Sequence, residues 1–245
     1  MERRRLFSDT GNCNPPEIDV TKLPARRLLK TRELPGPKDA KRWEEVLKEL
    51  PVHILLLTVE ECEFLSCVSH LNPGYIRSWH ENLGPVYFGL MGTGPTLKIA
   101  VIKCFSGSFF PGGLLKTVIY GVEVLRPKAV LCVGFCGGLG EEVSLGDVAI
   151  LAKLRTYSSI TITDSGIQED GLAVPLNRNL LSRIKNAVDG WKAPLRDCGK
   201  VKVWKDGVYL SGPENVKSEK RREELVKRFP DATAIEMEGQ GENVA

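Results

Sequence analysis

Three short stretches of this sequence carry side chains that can do chemistry. Leu57-Thr-Val-Glu-Glu-Cys-Glu-Phe64 offers three acids and no base. Such carboxylates repel an anion like phosphate and can polarise water, or they simply favour the N-terminus of the next helix through its dipole. Phe135-Cys-Gly-Gly-Leu-Gly140 is a glycine-rich loop, and Glu236-Met-Glu238 sets a carboxylate on each side of a flexible apolar residue. Read blandly, the latter is a strand ending in exposed acids. A dinucleotide fingerprint is excluded, because the spacing here is G-x-x-G-G-x-G and Val143-Ser-Leu-Gly-Asp147 leads into a strand rather than a helix. His53, His70 and His80 show neither H-E-x-x-H nor a Cys/His cluster, so no metal site is expected. The seven cysteines include no C-x-x-C and read as reduced thiols.

The elements that must position these residues follow from periodicity. From His53 onward, buried strand-like runs alternate with helices and turns, which points to an α/β domain. His53 to Thr58 is the first strand, and Glu60 to His70 the helix after it. Val86 to Met91 and Leu97 to Cys104 flank Gly92-Thr-Gly-Pro95 and predict a hairpin, whose glycines are turn formers rather than a phosphate cradle. Leu114 to Leu125 has helical spacing up to Pro127. Ala129 to Gly134 reads as a doubly buried strand, with further strands at Asp147 to Ala152 and Val201 to Leu210. Glu214 to Phe229 reads as a charged helix with Val216, Leu225, Val226 and Phe229 inward. Asp39 to Leu50 reads as a short amphipathic helix using Trp43, Val46, Leu47 and Leu50.

Residues 1–37 contain five prolines, scattered charge and no sustained periodicity, and are expected to form a flexible basic arm ahead of a domain spanning 38–245. The chain has 34 basic and 31 acidic side chains, a net charge of +3 that is too small for a dedicated nucleic-acid binder. Residues 1–50 hold the whole excess. No apolar run approaches the roughly 18 residues a membrane span needs, and Met1-Glu-Arg-Arg-Arg has no apolar segment behind it. The expectation is a cytoplasmic protein with neither nucleic-acid nor membrane partners.

Four motifs occur in order: Arg126-Pro-Lys-Ala-Val-Leu-Cys-Val-Gly-Phe-Cys-Gly-Gly-Leu139, Leu145-Gly-Asp-Val-Ala-Ile150, Leu210-Ser-Gly-Pro213 and Phe229-Pro-x-Ala-x-Ala-Ile-Glu-Met-Glu-Gly239. Together they resemble the nucleoside phosphorylase and nucleosidase superfamily, which includes methylthioadenosine/S-adenosylhomocysteine nucleosidases, from about residue 52 to 241. The similarity is greatest to its animal nucleoside-phosphorylase-domain proteins. It implies a three-layer α/β/α fold around a central mixed sheet, with a nucleoside bound at the strands' carboxyl ends.

It also implies roles for particular residues. Breaking an N-glycosidic bond passes through an oxocarbenium-like sugar, helped by holding the ribose hydroxyls, presenting a nucleophile and protonating the departing base. Glu238 matches the carboxylate that accepts both ribose hydroxyls, Met237 packs on the sugar face, and Glu236 is a secondary carboxylate. Glu63 matches the acid that helps activate water, so hydrolysis of a purine nucleoside is favoured over phosphorolysis. No cofactor is implied; phosphate would be a co-substrate only of a phosphorylase. Phe135, Cys136, Gly137 and Gly138 form the pocket loop, with Ser106 near the ribose or anion, while Asn215 and Val216 lie near the base.

Two departures from the family pattern qualify this. Phe135 replaces a small hydroxyl residue, and the strand, turn aspartate and helix that follow E-M-E in the family find no counterpart before Ala245. The expectation is therefore a C-terminally shortened domain with low turnover, for lack of a group to protonate the base. The alternative is a catalytically incomplete nucleoside-binding or protein-interaction module. Homo-oligomerisation is left open.

Overall fold

The structure is a computed structural model that describes residues 34–92, 96–107, 112–140, 142–158, 160–164, 166–169, 171–193 and 201–239. Most of the expected arm, the tip of the expected hairpin and residues 240–245 lie outside the described residues. The rest falls into two compact units, residues 34–135 with 238–239, and residues 136–237.

The N-terminal unit contains α1 (Trp43–Val46), β1 (Ile54–Thr58), α2 (Glu61–Ser69), β2 (Ile76–His80), β3 (Gly84–Met91), β4 (Leu97–Lys103), α3 (Leu114–Leu125) and β5 (Ala129–Cys132). Its sheet order is β2-β3-β4-β1-β5. β1 runs parallel to β4 and β5, while β2-β3-β4 is an antiparallel meander, so the sheet is mixed. The two-residue period of β1 sends successive leucines to opposite faces. Leu55 and Leu57 pack with Leu114, Val118 and Leu125 of α3 and Val46 of α1; Leu56 packs with Phe64, Cys67 and Val68 of α2. Helices thus cover both faces, giving the α/β/α layering. α3 ends as its sequence dictates: Arg126 takes a left-handed conformation (φ 48°), its N–H donates to the Val122 carbonyl, and Pro127 cannot continue the helix.

Three expectations need correction here. The helix expected over Asp39 to Leu50 is broken into a 3-10 turn (Pro37–Asp39), the single turn of α1, and a second 3-10 turn (Leu47–Glu49). The break has a cause: Lys41 leaves the helical path to pair with β2, its N–H donating to the Arg77 carbonyl and its own carbonyl accepting from Ser78 Oγ. β5, expected to be doubly buried, is half-buried and ends its sheet beside β1. The flexible arm was expected to reach residue 37, yet Leu34 packs against the α2-side core and the Pro35 carbonyl accepts from Arg77.

The C-terminal unit contains β6 (Gly137–Gly138), β7 (Val148–Thr156), β8 (Ile160–Thr163), β9 (Gly166–Glu169), β10 (Ala173–Pro175), α4 (Arg178–Ala187), β11 (Val203–Ser211), α5 (Glu219–Arg228) and β12 (Ala234–Glu236). Its main sheet runs β10-β7-β11-β12-β6, parallel through β7, β11 and β12 and antiparallel at both ends, while β8 and β9 form a separate hairpin. Leu225 of α5 and Phe229 just after it pack on Leu139, Tyr157, Leu210 and Ala232, with Val216 and Val226 partly buried beside them, the inner face read from the sequence. That helix starts later than expected, because Ser218 caps it through Arg221 N–H.

The Leu145-Gly-Asp147 motif serves this architecture. Asp147 accepts from the Ser144 and Lys202 N–H groups and from the Trp204 indole N–H, joining the turn before β7 to the start of β11. Burial opposes its ionisation, but these donors and the Lys202 charge outweigh it and hold the carboxyl below its ordinary range.

Candidate active site

In the N-terminal unit β4, β1 and β5 are parallel, so their carboxyl ends and the loops that leave them lie along one edge of the sheet, the place where open α/β sheets bind ligands. Those loops are Val59 and Glu60 after β1, Cys104 to Gly107 after β4, and Val133 to Phe135 after β5. Glu63, in the first turn of α2, is buried among them. Its Oε2 accepts from the Val59 and Glu60 N–H groups at 2.9 and 2.8 Å, and its Oε1 accepts from Phe135 N–H at 2.9 Å. A carboxylate has about four acceptor positions, so three backbone donors fix its orientation and still leave capacity for one more. The glycine beside it is required by this packing: a Cβ on Gly134 would stand 2.9 Å from Glu63 Oε1.

The same edge exposes two aromatic rings and a hydroxyl residue. Phe135 is 66% exposed and Phe105 71%, and Ser106 is exposed in the turn after β4. Phe105 is held by its N–H to the Gly112 carbonyl and by its ring, which lies where a Gly112 side chain would be. Thr58, fully buried at the end of β1, donates through Oγ1 to the Ile102 carbonyl.

In the C-terminal unit β7, β11 and β12 are also parallel and likewise gather side chains where they end. Gly212 N–H donates to the Glu236 carbonyl, and Tyr157 N–H to that of Ser211. Tyr157 lies against Gly212, where a Cβ would meet the ring at 2.4 Å. Its phenol is pushed up to about 12, first by burial and then by the Glu214 carboxylate, with Glu236 adding to the effect and Arg221 opposing it. The Cys136 thiol is likewise pushed up by burial and by the Glu236 carboxylate, against the Tyr209 hydroxyl.

The residues singled out in the sequence fall as follows. Glu63 and Phe135 are joined by a hydrogen bond across 72 positions of sequence. Cys136 and Glu236 are electrostatic neighbours, and Gly137 pairs with Ile235 across β6 and β12. Gly137 and Gly138 were expected to admit a ligand to the backbone; the structure gives them packing reasons, since side chains there would strike Ile235 and Val143. Asn215 is exposed, whereas Val216 packs on the core under α5. Glu214, just before them, is gripped by the Arg221 guanidinium through two bonds of 2.8 Å. Met237 and Glu238 are half-buried, and the chain crosses from one unit to the other between them and between Phe135 and Cys136.

Sequence reasoning missed Gly134 as a requirement of Glu63 and Tyr157 as the ring filling the space at Gly212. For Gly134 a signal was present, a glycine ending a buried-looking run; for Tyr157 nothing local distinguished it. Among the described residues no three His, Cys, Asp or Glu side chains converge as a metal would need, and no helix is long and apolar enough to cross a membrane.

Comparison with known proteins adds a family to this geometry. The profile of the phosphorylase superfamily matches residues 104–245, more than half of the chain. The chain is 28% identical to a death domain-containing ATP nucleosidase of Amphimedon queenslandica, over 94% of this chain and 46% of that protein. It is 26% identical to the 5′-methylthioadenosine/S-adenosylhomocysteine nucleosidase of Shewanella loihica, over 48% of this chain and 50% of that one. The chain therefore spans about half the length of the curated relatives it matches. Among solved structures, the Streptococcus pneumoniae methylthioadenosine/S-adenosylhomocysteine nucleosidase in complex with 8-aminoadenine superposes with a TM-score of 0.60 at 18% identity, over 77% of this chain and 76% of that one. The corresponding Helicobacter pylori nucleosidase gives 0.61 at 19%, over 78% and 77%. These likenesses show that the chain shares the fold of those two structures.

Proposed function

The chain belongs to the phosphorylase superfamily, and from that premise we propose that it binds a purine nucleoside and cleaves its N-glycosidic bond by hydrolysis. The observation that carries this reading is Glu63. A carboxylate is held rigidly by three backbone N–H groups at the carboxyl ends of parallel strands, with capacity left to orient water. A phosphorylase needs a receptor for phosphate at this point, and an acid set among Glu60 and Glu61 repels it. Glu238 takes the ribose hydroxyls, with Met237 against the sugar and Glu236 behind it. Phe135 and Ser106 stand at the edge beside Glu63; of the two residues expected near the base, the exposed Asn215 keeps that role, and Val216, packed on the core, does not. The Amphimedon relative, an ATP nucleosidase, makes ATP a substrate to try beside unphosphorylated adenine nucleosides.

A second reading, nucleoside binding without turnover, is favoured by one observation: Phe135, in place of a small hydroxyl residue, presents a mostly exposed ring at the loop. Incubation with adenosine, methylthioadenosine, inosine, uridine and ATP, with and without phosphate, separates the two. Free sugar or sugar phosphate that forms without added phosphate supports hydrolysis, and saturable binding with no product supports the second reading. Glu238→Gln is expected to weaken adenosine binding by about 1.5 to 3 kcal/mol, the range for hydrogen bonds to a charged group, and Glu236→Gln to weaken it less. Unchanged affinity in folded Glu238→Gln protein removes the ribose assignment.

A further inference from the structure

The N-terminal unit holds a cavity of about 460 Å³ on the α2 side of its sheet, and of its lining only Glu61 enters the nucleoside reading. That volume lies within the range of small-molecule sites. Its apolar walls are Leu34, Phe64, Leu65 and Tyr87, with prolines at 35, 37 and 85, and its charged residues are Arg77, Lys103 and Glu61. Phe64 and Tyr87 meet edge to face at 5.1 Å, which makes the floor aromatic and rigid.

The charges decide what fits. Arg77 is half-buried and its guanidinium lies over the Tyr87 ring, 5.8 Å from the centroid. It donates from Nη1 to the Pro35 carbonyl at 2.9 Å, which holds the segment from Leu34 to Pro37 as one wall. Among the described residues, neither Arg77 nor Lys103 makes an ion pair with a carboxylate. A partly buried guanidinium with no anionic partner among the described residues, bordering a cavity, is incompletely compensated. With Nη1 engaged, Nε and Nη2 remain, the two-donor edge that matches a carboxylate. Among the described lining residues, two cations and the one Glu61 carboxylate leave an excess of one positive unit, which balances a monoanion and under-compensates a phosphate monoester.

We infer that this cavity is a binding site for a small aromatic monocarboxylic acid, its ring on Phe64 and Tyr87 and its carboxylate on Arg77 and Lys103. On this inference the site is distinct from the nucleoside-cleaving one. Adenosine therefore does not displace the acid, and the acid binds whether or not the protein turns nucleoside over.

The test uses the full chain and 1-naphthoate, followed by calorimetry and ligand-observed NMR, with 1-naphthamide as the neutral isostere and 1-naphthyl phosphate as the dianion. Saturable naphthoate binding is expected, about tenfold weaker in Lys103→Gln and in Arg77→Gln, as befits loss of a charge-assisted bond. Naphthamide and naphthyl phosphate are expected to bind more weakly than naphthoate, and adenosine to leave naphthoate binding unchanged. Lys103 is exposed, so its variant retains the fold even if Arg77→Gln does not. No saturable binding, equal binding of naphthamide, tighter binding of naphthyl phosphate, competition by adenosine, or full affinity in Lys103→Gln would each overturn the inference.

Discussion

The two sheets end their parallel strands differently. At the edge of the N-terminal sheet the acid, Glu63, is held by backbone N–H groups from two loops, so its position follows from the chain path itself. At the end of the C-terminal sheet, Glu236 lies near a phenol and a thiol, and the neighbouring turn is filled by the ring of Tyr157. The supporting layers differ in the same sense. β1 is buried along almost its whole length between helices on both faces, whereas β7 is half-buried along most of its length and α4 buries no residue. The lesson is that rigidity at the first edge comes from backbone hydrogen bonds on a doubly covered sheet, and at the second from side-chain packing over one cluster.

The largest expected effect tests that contrast in the cores. Leu55→Ala removes a fully buried side chain from between β1 and α3, where large-to-small changes typically cost about 2 to 5 kcal/mol. Ile150→Ala on half-buried β7 is expected to cost about half as much or less, because less area is removed from water. Urea unfolding of the two variants checks it, and equal losses would dissolve the distinction between the sheets.

At the acids themselves, Glu63→Gln puts an amide where backbone N–H groups need acceptors, and is expected to cost about 1.5 to 3 kcal/mol. Glu236→Gln is expected to cost clearly less, with thermal melts of the two variants as the check. A Glu236→Gln loss as large as that of Glu63→Gln would show that both ends depend equally on a charged acceptor.

A smaller contrast lies in two glycines. A Cβ at Gly134 meets the Glu63 carboxylate at 2.9 Å, and a Cβ at Gly137 meets the Ile235 Cγ2 methyl at the same distance. The carboxylate is fixed by three bonds and the methyl ends a rotatable side chain, so Gly134→Ala should cost about 1 to 3 kcal/mol, the usual overpacking range, and Gly137→Ala less. Reversal of that order in melting temperature would contradict the clasp around Glu63.

The smallest effect is in acid. Asp147 has a folded pKa below its ordinary value, so it contributes stability above its unfolded pKa of about 3.9 that is lost as pH falls through the lower, folded value. Asp147→Asn is expected to flatten the acid limb of stability below about pH 4, with melts between pH 2 and about 6 as the measurement. An unchanged acid limb would mean that the Trp204 and Lys202 bonds do not favour the ionised form.

How far this was legible beforehand depended on the range of the interactions. Leu114 to Leu125 formed the helix its apolar spacing required, with Pro127 marking its end, and Ile54 to Thr58 formed the strand. Helix period and strand run are local signals. Asp39 to Leu50 had a similar signal but lost its helix to pairing between Lys41 and β2, a contact 37 positions away. The half-burial of β5 could not be read from Ala-Val-Leu-Cys, because its place at the end of the sheet is a matter of topology. In the site, Glu63 was visible as an acid beside a strand end, while its bond to Phe135 N–H came only with the fold. The glycines at 137 and 138 were legible as positions that admit no side chain, while their neighbours Ile235 and Val143, which a Cβ would strike, came only with the fold.

The measurement that bears most directly on the account is product analysis of the wild-type chain and Glu63→Gln with adenosine and ATP in phosphate-free buffer. Release of adenine with a free reducing sugar, or its 5′-phosphorylated form, is expected from the wild type without any phosphate. General base assistance typically contributes about 10²- to 10⁴-fold, so Glu63→Gln should slow release by at least about a hundredfold while nucleoside binding persists. Sugar 1-phosphate formed only when phosphate is supplied, or cleavage by Glu63→Gln at the wild-type rate, would contradict the assignment of Glu63 as the residue that orients water for hydrolysis.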